Sequence, residues 1–362
     1  MADAKYIRLI QNLRRKILDG CYASGKPLPS ERTLIRTTGL SRITVRHAFS
    51  ELERQGLVCR QRGRGTFITK CVANRKVGLI VPGIAFSEFY PPVVGEISRC
   101  AQQAGYQLLF ADIMPENPNV RAESARLFAE ELVREHVAGV IYQPLESVAC
   151  SDRVNLDIVA LFDAAEIPVV LLDYDIVRTP ERSRYDVVGI DNHAAGRMLV
   201  KHLFDAGARK LAFVLRSEWA NSIYERISGA HAAVSEAAGR CSLVKFDVQP
   251  EDEAGVRRCM RRFRPDAIIC GNDTTAAKLN RTLSHLGYQV PEDVLLAGVD
   301  DVQIASLMTP PLTTIHQPCR DIARAVFDAL VNRIAHPERS PWRVSLPAPL
   351  VVRRSTQRGV AK

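Results

Sequence analysis

Residues 28–68 combine cations and hydroxyls at helical spacing, which suits the recognition of nucleic acid. Four apolar residues fall at positions i, i+3, i+4 and i+7 and predict the buried face of a helix: Val45, Ala48, Phe49 and Leu52. The other side chains in its first turn and a half are polar or charged: Arg42, Thr44, Arg46 and His47. Arginine can donate two parallel hydrogen bonds to guanine in the major groove. The second helix of a helix-turn-helix inserts its N-terminal part into that groove. These residues therefore predict a helix that contacts DNA.

Capping and turn residues predict two helices joined by a tight turn. Ser30 can cap the first helix, and Glu31 in its first turn favours the positive end of the helix dipole. Gly39 can adopt the left-handed conformation of a turn at low cost. Ser41 can cap the second helix. An apolar stripe within residues 6–17 predicts a further helix upstream.

A basic hairpin is predicted after these helices. Leu57–Arg60 and Thr66–Thr69 can form two short strands, and residues 61–65 between them hold two arginines and two glycines. The glycines let the backbone approach phosphate closely, and the arginines supply positive charge. Three helices followed by a hairpin predict a winged helix-turn-helix. The alternative, a small helical domain with a solvated basic face, does not account for the order of caps, turn, stripe and hairpin.

The stretches LPSER, SRITVR and RGRGTFI resemble the DNA-binding domain of the GntR family, and the similarity covers about residues 5–69. In that family, residues after P-S-E, at the start of the recognition helix and at the wing tip contact DNA. The resemblance implies seven DNA-contacting residues: Arg32, Ser41, Arg42, Thr44, Arg46, Arg62 and Gly63. Ile43 departs from the family, which commonly carries threonine there. The departure predicts the loss of a polar contact or an altered base preference.

Positive charge is confined to this N-terminal region. Residues 1–76 hold 17 Lys and Arg against 5 Asp and Glu, a net charge of +12. The whole chain of 362 residues carries +9, so the remainder is near −3. A basic domain on a slightly acidic remainder is the charge distribution that DNA binding requires. The expected partner is a double-stranded DNA operator, bound with an affinity that falls as salt rises.

Several other classes of protein are not indicated. No apolar run approaches the roughly 18 residues of a membrane span, and a basic helix occupies the place of a signal peptide, so we expect a cytoplasmic protein without a membrane partner. Nine cysteines without a C-x-x-C pair predict reduced packing residues. Eight histidines lack metal-ligand spacing, and neither G-x-S-x-G nor G-x-x-x-x-G-K-[ST] occurs. The sequence thus predicts no enzyme, no metal site and no cofactor.

From Lys76 onward, apolar runs alternate with helical stretches. The predicted strands are Val77–Val81, Tyr106–Ala111, Gly139–Tyr142, Val169–Asp173, Val187–Ile190, Leu211–Leu215, Ala267–Cys270 and Leu295–Val299. The predicted helices are near 92–104, 121–136, 155–165, 193–206, 224–238, 251–263, 274–286 and 301–307. This alternation predicts an α/β fold with a mostly parallel sheet covered on both faces. Eight strands over this length favour two doubly wound lobes.

Ligands of such sheets bind beyond the carboxyl ends of the strands, so the residues that follow each strand are the candidate site. They are aromatic, acidic, amide or cationic: Phe86, Phe89, Tyr90, Asp173, Asp175, Trp219, Tyr224, Arg226, Asn272, Asp273, Asp300 and Asp301. A sugar needs apolar faces for its ring and fixed hydrogen-bond partners for its hydroxyls. Single members have ordinary alternatives, since Asp273 can cap the next helix and the first three aromatics can belong to the core.

The stretches IPVVLLDYD, PDAIICGNDTTAAKL, LGYQVPEDVLLAGVDD and TPPLTTIHQP resemble the ligand-binding part of the LacI/GalR family, over roughly residues 76–355. That family shares its two-lobed fold with periplasmic sugar-binding proteins. The resemblance implies these effector contacts: Phe86, Phe89, Asp173, Arg226, Asn272, Asp300 and Gln317. Tyr142 also occupies a position where a polar contact can occur. LacI-type proteins carry a hinge helix before this part, and residues 69–75 show no such pattern.

Together these observations predict a winged helix-turn-helix domain at 1–69, a linker at 70–76, a two-lobed, periplasmic-binding-protein-like effector-binding and dimerisation domain at 77–355, and a tail at 356–362. The two resemblances imply a homodimeric transcriptional repressor controlled by a small polar effector such as a sugar. An activator of the same architecture and a cytoplasmic sugar-binding protein of transport type remain alternatives. A pyridoxal phosphate enzyme, which can also follow a GntR-type domain, would need a longer partner domain.

Overall fold

The N-terminal helices and hairpin close around one small core. The computed structural model of the chain describes residues 9–14, 16–17, 22, 27–54, 57–61, 64–68, 76–81, 83–84, 88–113, 118–146, 151–178, 180–215 and 221–358. The labelled elements of the N-terminal domain are α1 (Glu31–Thr38), α2 (Arg42–Arg54), β1 (Val58–Gln61) and β2 (Gly65–Ile68). The predicted stripe of α2 is buried: Val45, Ala48, Phe49 and Leu52. Residues 9–14 and 16–17 are helical, and their apolar side chains join the same core.

The predicted caps and turn hold α1 and α2 in place. The Ser30 hydroxyl accepts a hydrogen bond from the Thr33 amide at 3.1 Å, and the Ser41 hydroxyl accepts one from the Thr44 amide at 3.2 Å. Gly39 ends α1 at φ +67°, the left-handed conformation expected of it. These bonds satisfy amides that the first turn of a helix leaves without intrahelical partners.

The hairpin forms close to its predicted place. β1 and β2 pair antiparallel with Val58 opposite Ile68 and Gln61 opposite Gly65, so both strands differ by one residue from the prediction. The Arg60 guanidinium donates hydrogen bonds to the Arg46 carbonyl at 3.2 Å and the Ser50 hydroxyl at 3.4 Å, which ties the hairpin to α2. Two predicted DNA contacts, Arg62 and Gly63, lie outside the described residues, and so does the predicted linker up to residue 75.

The larger domain consists of two parallel-stranded lobes. The first lobe contains β3 (Lys76–Val81), α3 (Tyr90–Ala104), β4 (Gln107–Asp112), α4 (Pro118–Arg134), β5 (Val140–Tyr142), α5 (Ser151–Ala164), β6 (Val169–Leu172) and β7 (Asp186–Ile190). The second contains α6 (Asn192–Asp205), β8 (Lys210–Leu215), α7 (Asn221–Glu236), β9 (Ser242–Asp247), α8 (Glu253–Phe263), β10 (Ala267–Cys270), α9 (Asp273–His285), β11 (Leu295–Asp300), α10 (Gln303–Leu307) and β12 (Thr313–His316). The chain then returns with α11 (Cys319–Ala335) and β13 (Arg343–Leu346), and ends with β14 (Leu350–Val351) and a 3₁₀ turn at Arg354–Thr356.

Each lobe has one six-stranded sheet. The strand order is β13-β7-β6-β5-β3-β4 in the first lobe and β14-β12-β11-β10-β8-β9 in the second, and only β14 runs antiparallel to its neighbour. The chain crosses between the lobes after β7, after β12 and after β13. Helices cover both faces of each sheet, and one apolar cluster is continuous through both lobes. The doubly wound, two-lobed architecture agrees with the prediction.

All eight predicted strands of this domain are present, and four further strands were not predicted: β9, β12, β13 and β14. The helix α11 was also not predicted. The predicted tail begins at residue 356, yet Thr356 is buried and its hydroxyl lies 2.7 Å from that of Thr313. Arg358 donates a hydrogen bond to the Pro291 carbonyl at 3.3 Å, so the folded domain continues through this residue.

Candidate ligand cleft and nucleic-acid interface

In the first lobe, two polar side chains follow neighbouring parallel strands. Gln143 comes directly after β5 and Asp173 directly after β6. Asp173 has φ +71°, and its amide donates a hydrogen bond to the Val188 carbonyl at 2.8 Å. Gly189 makes this arrangement possible, since a Cβ atom there would lie 2.3 Å from the Asp173 carbonyl oxygen. The backbone thus fixes the carboxylate at the end of the sheet.

In the second lobe, Asp300 ends β11 and Gln317 follows β12. The Gln317 amide nitrogen donates a hydrogen bond to Asp300 Oδ1 at 2.7 Å. Asp300 has φ +120°, a conformation rare for residues with a side chain. Backbone strain of this kind concentrates at functional sites. Asp300 and Gln317, two of the predicted effector contacts, are therefore hydrogen-bonded to each other.

Arg226 lies between the acids of the two lobes. Its side chain is only 3% exposed. Nε donates to Asn192 Oδ1 and Nη1 donates to the Gly271 carbonyl, both at 2.7 Å. Among the described residues, no carboxylate lies within 4.0 Å of the guanidinium, although its charge lowers the pKa of both Asp173 and Asp300 against the effect of burial. A buried cation without a direct ion pair is costly unless a ligand or further hydrogen bonds compensate it.

Close packing of α6 and α7 holds Arg226 in place. Gly196 of α6 faces Arg226, and a Cβ atom there would lie 1.8 Å from the Arg226 carbonyl oxygen. Gly229 of α7 faces His193 in the same way, at 1.9 Å from its carbonyl oxygen. Two glycines therefore let the helix backbones touch, and this contact brings Arg226 to Asn192 at the start of α6.

The cleft contains buried polar atoms without a partner. Among the described residues, four such atoms belong to side chains around Asp173, Asp300 and Arg226. They are Gln143 Oε1, Asp173 Oδ1, Asn192 Nδ2 and Gln317 Oε1. Buried polar groups in folded proteins are nearly always hydrogen-bonded to protein, water or ligand. The side chains of Asn192 and Gln143 lie close enough to Asp173 to lower its pKa by hydrogen bonding, and Gln317 is bonded to Asp300. The unsatisfied acceptors and the donor therefore lie at the strand ends of the two lobes, where a polar molecule could bond to them.

Acidic groups dominate the electrostatics of the cleft. Burial raises the pKa of Asp173 and that of Asp300, and the Arg226 guanidinium opposes both increases. Asp273 is fully buried, and its pKa is raised by burial and by the negative charge of Asp300. The carboxyl groups of Asp173 and Asp300 against one guanidinium leave little compensation for an additional anion.

Aromatic side chains lie on the first-lobe side. Phe89 and Tyr90 are buried at the start of α3, with ring centroids 5.2 Å apart in an edge-to-face arrangement. Burial raises the pKa of the Tyr90 hydroxyl, and the charges of Asp173 and Asp300 raise it further, which places this ring near the acids of both lobes. Phe86, the other predicted aromatic contact, lies outside the described residues.

Two sequence-based interpretations are wrong. Tyr142, considered as a polar contact, is fully buried, and its hydroxyl donates a hydrogen bond to Asn155 within the core on the far face of the sheet. Asp273, interpreted as a helix cap, is the first residue of α9. Asn272 caps that helix instead, accepting a hydrogen bond from the Thr275 amide at 2.8 Å. Asp273 accepts from the Thr314 hydroxyl at 2.6 Å, because its carboxylate points into the interior.

Three cleft residues were not among the seven effector contacts that the resemblance implies: Tyr90, which was a strand-end candidate only, Gln143 and Asn192. Each of them follows or opens an element at the carboxyl ends of the parallel strands. Their position was the available signal, since every residue at these strand ends is a candidate. Asn192 could have been found from its place two residues after the end of β7, at a crossing between the lobes.

Two open cavities adjoin the cleft, with volumes of about 680 and 740 Å³. The first is lined by Asp173 and Tyr224, among others, and the second by Asp300 and Gln317. Cavities of this size hold small molecules. The lobes meet beside the first cavity, where the Asn221 amide donates to the Asp175 carbonyl at 3.0 Å.

The N-terminal domain presents a cationic surface. Arg32, Arg42 and Arg46 are exposed, and none has a carboxylate within 4.0 Å in the part of the chain that the structure describes. The hydroxyls of Ser41 and Thr44 lie 2.8 Å apart at the start of α2. The arrangement leaves three cations and two hydroxyls at the start of α1 and in the first turns of α2.

Among the described residues, no group of three or more His, Cys, Asp or Glu side chains is arranged to hold a metal ion. No helix in this part of the chain has the length and apolar character to cross a membrane.

Comparison with known proteins identifies both domains. Residues 5–68 match the bacterial regulatory proteins of the gntR family, and residues 200–356 match a periplasmic binding protein-like domain. Over 292 residues the chain is 30% identical to the HTH-type transcriptional repressor PurR of Vibrio atlanticus (strain LGP32), covering 79% of this chain and 82% of that protein. The chain belongs to the transcriptional regulators that join a GntR-type DNA-binding domain to a LacI-type domain.

Two further regulators match most of the chain. The arabinose metabolism transcriptional repressor of Geobacillus stearothermophilus is 26% identical over 347 residues, which is 91% of each chain. The solved structure of the transcriptional regulator CelR in complex with cellobiose is 22% identical, with a TM-score of 0.66, and covers 91% of this chain and 100% of its own. At that identity the likeness shows the shared fold. The relatives named here are transcriptional regulators.

Proposed function

We propose that this GntR-type regulator is a homodimeric repressor, and that a small neutral polyhydroxylated effector, a sugar or sugar derivative, controls its binding to an operator in the cytoplasm. The proposal rests chiefly on the four buried polar atoms of the cleft that lack a partner. Three of them are acceptors, so they need a ligand rich in donor groups, and hydroxyls are such groups.

Charge favours a neutral effector over an anionic one. A carboxylate or phosphate could bind Arg226, but it would lie close to Asp173 and Asp300. Hydroxyls can donate to the carboxylates and accept from the guanidinium without adding charge. Tyr90 lies beside these groups and supplies an apolar surface against which a sugar ring can pack. The names of two relatives, which refer to arabinose metabolism and to a cellobiose complex, agree with a carbohydrate.

The proposed effector site combines the predicted contacts with the polar residues that lie next to them in the structure. Asp173, Arg226, Asp300 and Gln317 would bind the effector directly, together with Gln143 and Asn192. Asn272 could contribute its amide nitrogen, because its oxygen already caps α9. Phe89 would support Tyr90. The DNA-binding domain would span residues 1–69, and the effector and dimerisation domain would run from 77 through at least 358.

Control of the operator requires that the effector binds the two states of the dimer with different affinities. A bound ligand would favour closure of the lobes, and closure would change how the two DNA-binding domains are placed on the half-sites of a palindrome. A typical coupling of about 1–3 kcal/mol changes operator affinity roughly 5- to 150-fold. The PurR and arabinose relatives named above are repressors, which supports repression over activation of transcription.

A thermal-shift screen tests the effector class. Pentoses, hexoses, disaccharides and sugar acids are added to the full-length protein, with purines included because one relative is PurR. A ligand at about 100 times its Kd adds about 2.7 kcal/mol to stability, which raises the melting temperature clearly. Stabilisation by a neutral sugar supports the proposal. Stabilisation by a purine or by sugar acids alone would contradict the neutral sugar class.

Operator binding is tested with the arginines of α2. Arg42→Ala and Arg46→Ala should weaken binding to DNA fragments enriched by the parent protein, each by about 1–3 kcal/mol if it bonds a base. If the arginine contacts a phosphate instead, the slope of log affinity against log salt concentration should fall by about one in magnitude. Arg134→Ala, an exposed arginine of α4, is the control and should bind as the parent does. Parental binding by both α2 variants would contradict the assigned interface.

A further inference from the structure

Ile43 is the most exposed large apolar side chain among the described residues. It is 82% exposed in the first turn of α2, next to Arg42 and Thr44. Isolated apolar residues on a surface are common. This one differs in its place, because the first turn of a recognition helix is the part that enters the major groove.

Helix geometry places Ile43 at the centre of the exposed face of α2. At about 100° per residue, Ile43 lies about 160° around the axis from the buried Val45. The mean direction of the buried stripe lies close to Val45, so Ile43 points almost directly away from the core. Arg46 lies about 60° to one side of Ile43 on the same face. The isoleucine thus lies at the middle of the exposed face, with Arg46 beside it.

The neighbours of Ile43 indicate what covers it. Arg42 and Arg46 are exposed, without a carboxylate within 4.0 Å in the described part of the chain, so the surface suits a polyanion rather than an apolar protein partner. In the major groove of duplex DNA, the edges of the base pairs carry donors, acceptors and one apolar group, the C5 methyl of thymine. A branched aliphatic side chain in this groove gains free energy only where it covers that methyl group.

We propose that Ile43 contacts a thymine methyl group and makes the protein select thymine at one position of each operator half-site. The inference rests on the proposed binding to operator DNA and adds a base preference to it. The arginines would then supply phosphate and guanine contacts, while Ile43 distinguishes thymine from cytosine, which lacks the methyl group.

The experiment removes the methyl group from the DNA and the aliphatic side chain from the protein. DNA duplexes are first enriched from a random pool with the full-length protein. Each thymine of the enriched half-site is then replaced by uracil, which lacks only the C5 methyl. One replacement should weaken parental binding about four-fold per half-site, the effect expected for one methyl-sized apolar contact. For Ile43→Ala the same replacement should have no effect.

Matched variants separate this contact from general loss of affinity. Ile43→Val keeps a branched aliphatic side chain and should keep the sensitivity to uracil. Leu156→Ala changes a leucine of α5 that is 48% exposed and remote from α2, and it should behave as the parent does. An equal effect of uracil on the parent and on Ile43→Ala at every thymine would overturn the inference. Failure of the parent to enrich any sequence would instead contradict operator binding itself, and the inference with it.

Discussion

A single buried guanidinium organises the cleft at the scale of residues. Arg226 bonds an amide oxygen and a carbonyl, but no carboxylate in the described chain approaches within 4.0 Å. Two nearby acids, Asp173 and Asp300, interact with its charge at longer range. Without ligand, the desolvation of Arg226 is only partly compensated. An effector that accepts hydrogen bonds from this group would therefore gain more than it could from an exposed arginine.

Replacement of Arg226 by alanine should abolish the response to effector and leave operator binding near the parental level. Loss of a charge-assisted hydrogen bond is worth about 1.5–3 kcal/mol, which corresponds to roughly 10- to 150-fold in effector affinity. Titration calorimetry gives the affinity, and a gel-shift assay with and without effector gives the response. The control is Arg197→Ala, in which an exposed arginine paired with Glu236 is removed. Unchanged induction in Arg226→Ala would contradict the assigned pocket.

Asp273 should make stability depend on pH. Its pKa in the folded chain is raised by burial and by Asp300, so the folded state holds a proton that the unfolded chain has lost. Stability therefore falls as the pH rises from the unfolded value of about 4 towards the folded value. Asp273→Asn has no proton to lose, and its amide can donate to the Thr314 hydroxyl while its oxygen accepts from the Val302 amide.

The melting temperature of Asp273→Asn, relative to that of the parent, should consequently rise between about pH 5 and about pH 8. Scanning calorimetry at several pH values measures it. Asp205→Asn, which changes an exposed carboxylate paired with Lys201, serves as the control for a general charge effect. A constant difference over this range, or one that decreases, would show that Asp273 is ionised in the folded protein.

At the scale of elements, the contact between α6 and α7 sets the position of Arg226. A Cβ atom on Gly196 would meet the Arg226 carbonyl oxygen at 1.8 Å, and a backbone atom cannot move aside as a flexible side chain can. Gly196→Ala should force the helices apart, at a cost of about 1–3 kcal/mol or more in stability, and weaken the effector affinity as well. Chemical denaturation and calorimetry measure the two effects.

A glycine in another helix provides the matched control. Gly95 lies in α3, and no atom lies within 4 Å of a Cβ added there. Gly95→Ala should stabilise the protein by about 0.4–1 kcal/mol, because alanine restricts the unfolded chain without a clash. Equal effects of the two substitutions would mean that helix contact does not position Arg226.

The elements that the sequence predicted are those whose pattern reflects burial on both faces. Strands such as Ala267–Cys270 are continuous apolar runs and were placed correctly. β9 was missed because charged and apolar residues mix at the sheet edge, and β12 because its buried residues include Thr313 and Thr314. The Thr313 hydroxyl bonds to the distant Arg353 carbonyl, a tertiary contact that no local pattern reveals.

The candidate site was predictable in outline and not in detail. Strand ends and resemblance together located Asp173, Arg226 and Asp300, and the structure brings these three within electrostatic reach of one another. The role of Asn192 as acceptor for Arg226 depends on the packing of α6 against α7, which spacing alone does not specify. Likewise, the choice of Asn272 rather than the next residue as helix cap depends on local backbone conformation.

At the scale of the whole molecule, three chain crossings, a continuous apolar cluster and several polar contacts join the lobes. The Asn221 amide donates to the Asp175 carbonyl across the cleft at 3.0 Å, and the Ile304 amide donates to the Glu88 carboxylate at 3.4 Å. The Arg178 guanidinium lies over the Tyr224 ring, 5.0 Å from its centroid. A ligand that adds contacts between the lobes can shift the balance between open and closed arrangements, because it binds the closed arrangement more tightly.

Loss of one contact between the lobes should therefore change the rate of effector release more than the stability of the protein. Asn221→Ala removes a hydrogen bond worth about 0.5–1.5 kcal/mol, so the effector should dissociate roughly 2- to 12-fold faster. Asn280→Ala removes a similar bond, to the Thr309 carbonyl at 3.2 Å, but within one lobe. Stopped-flow measurement of effector release compares the two. If both variants release it at the same rate, closure is not held by this contact, and the signal to the DNA-binding domains must depend on other contacts between the lobes.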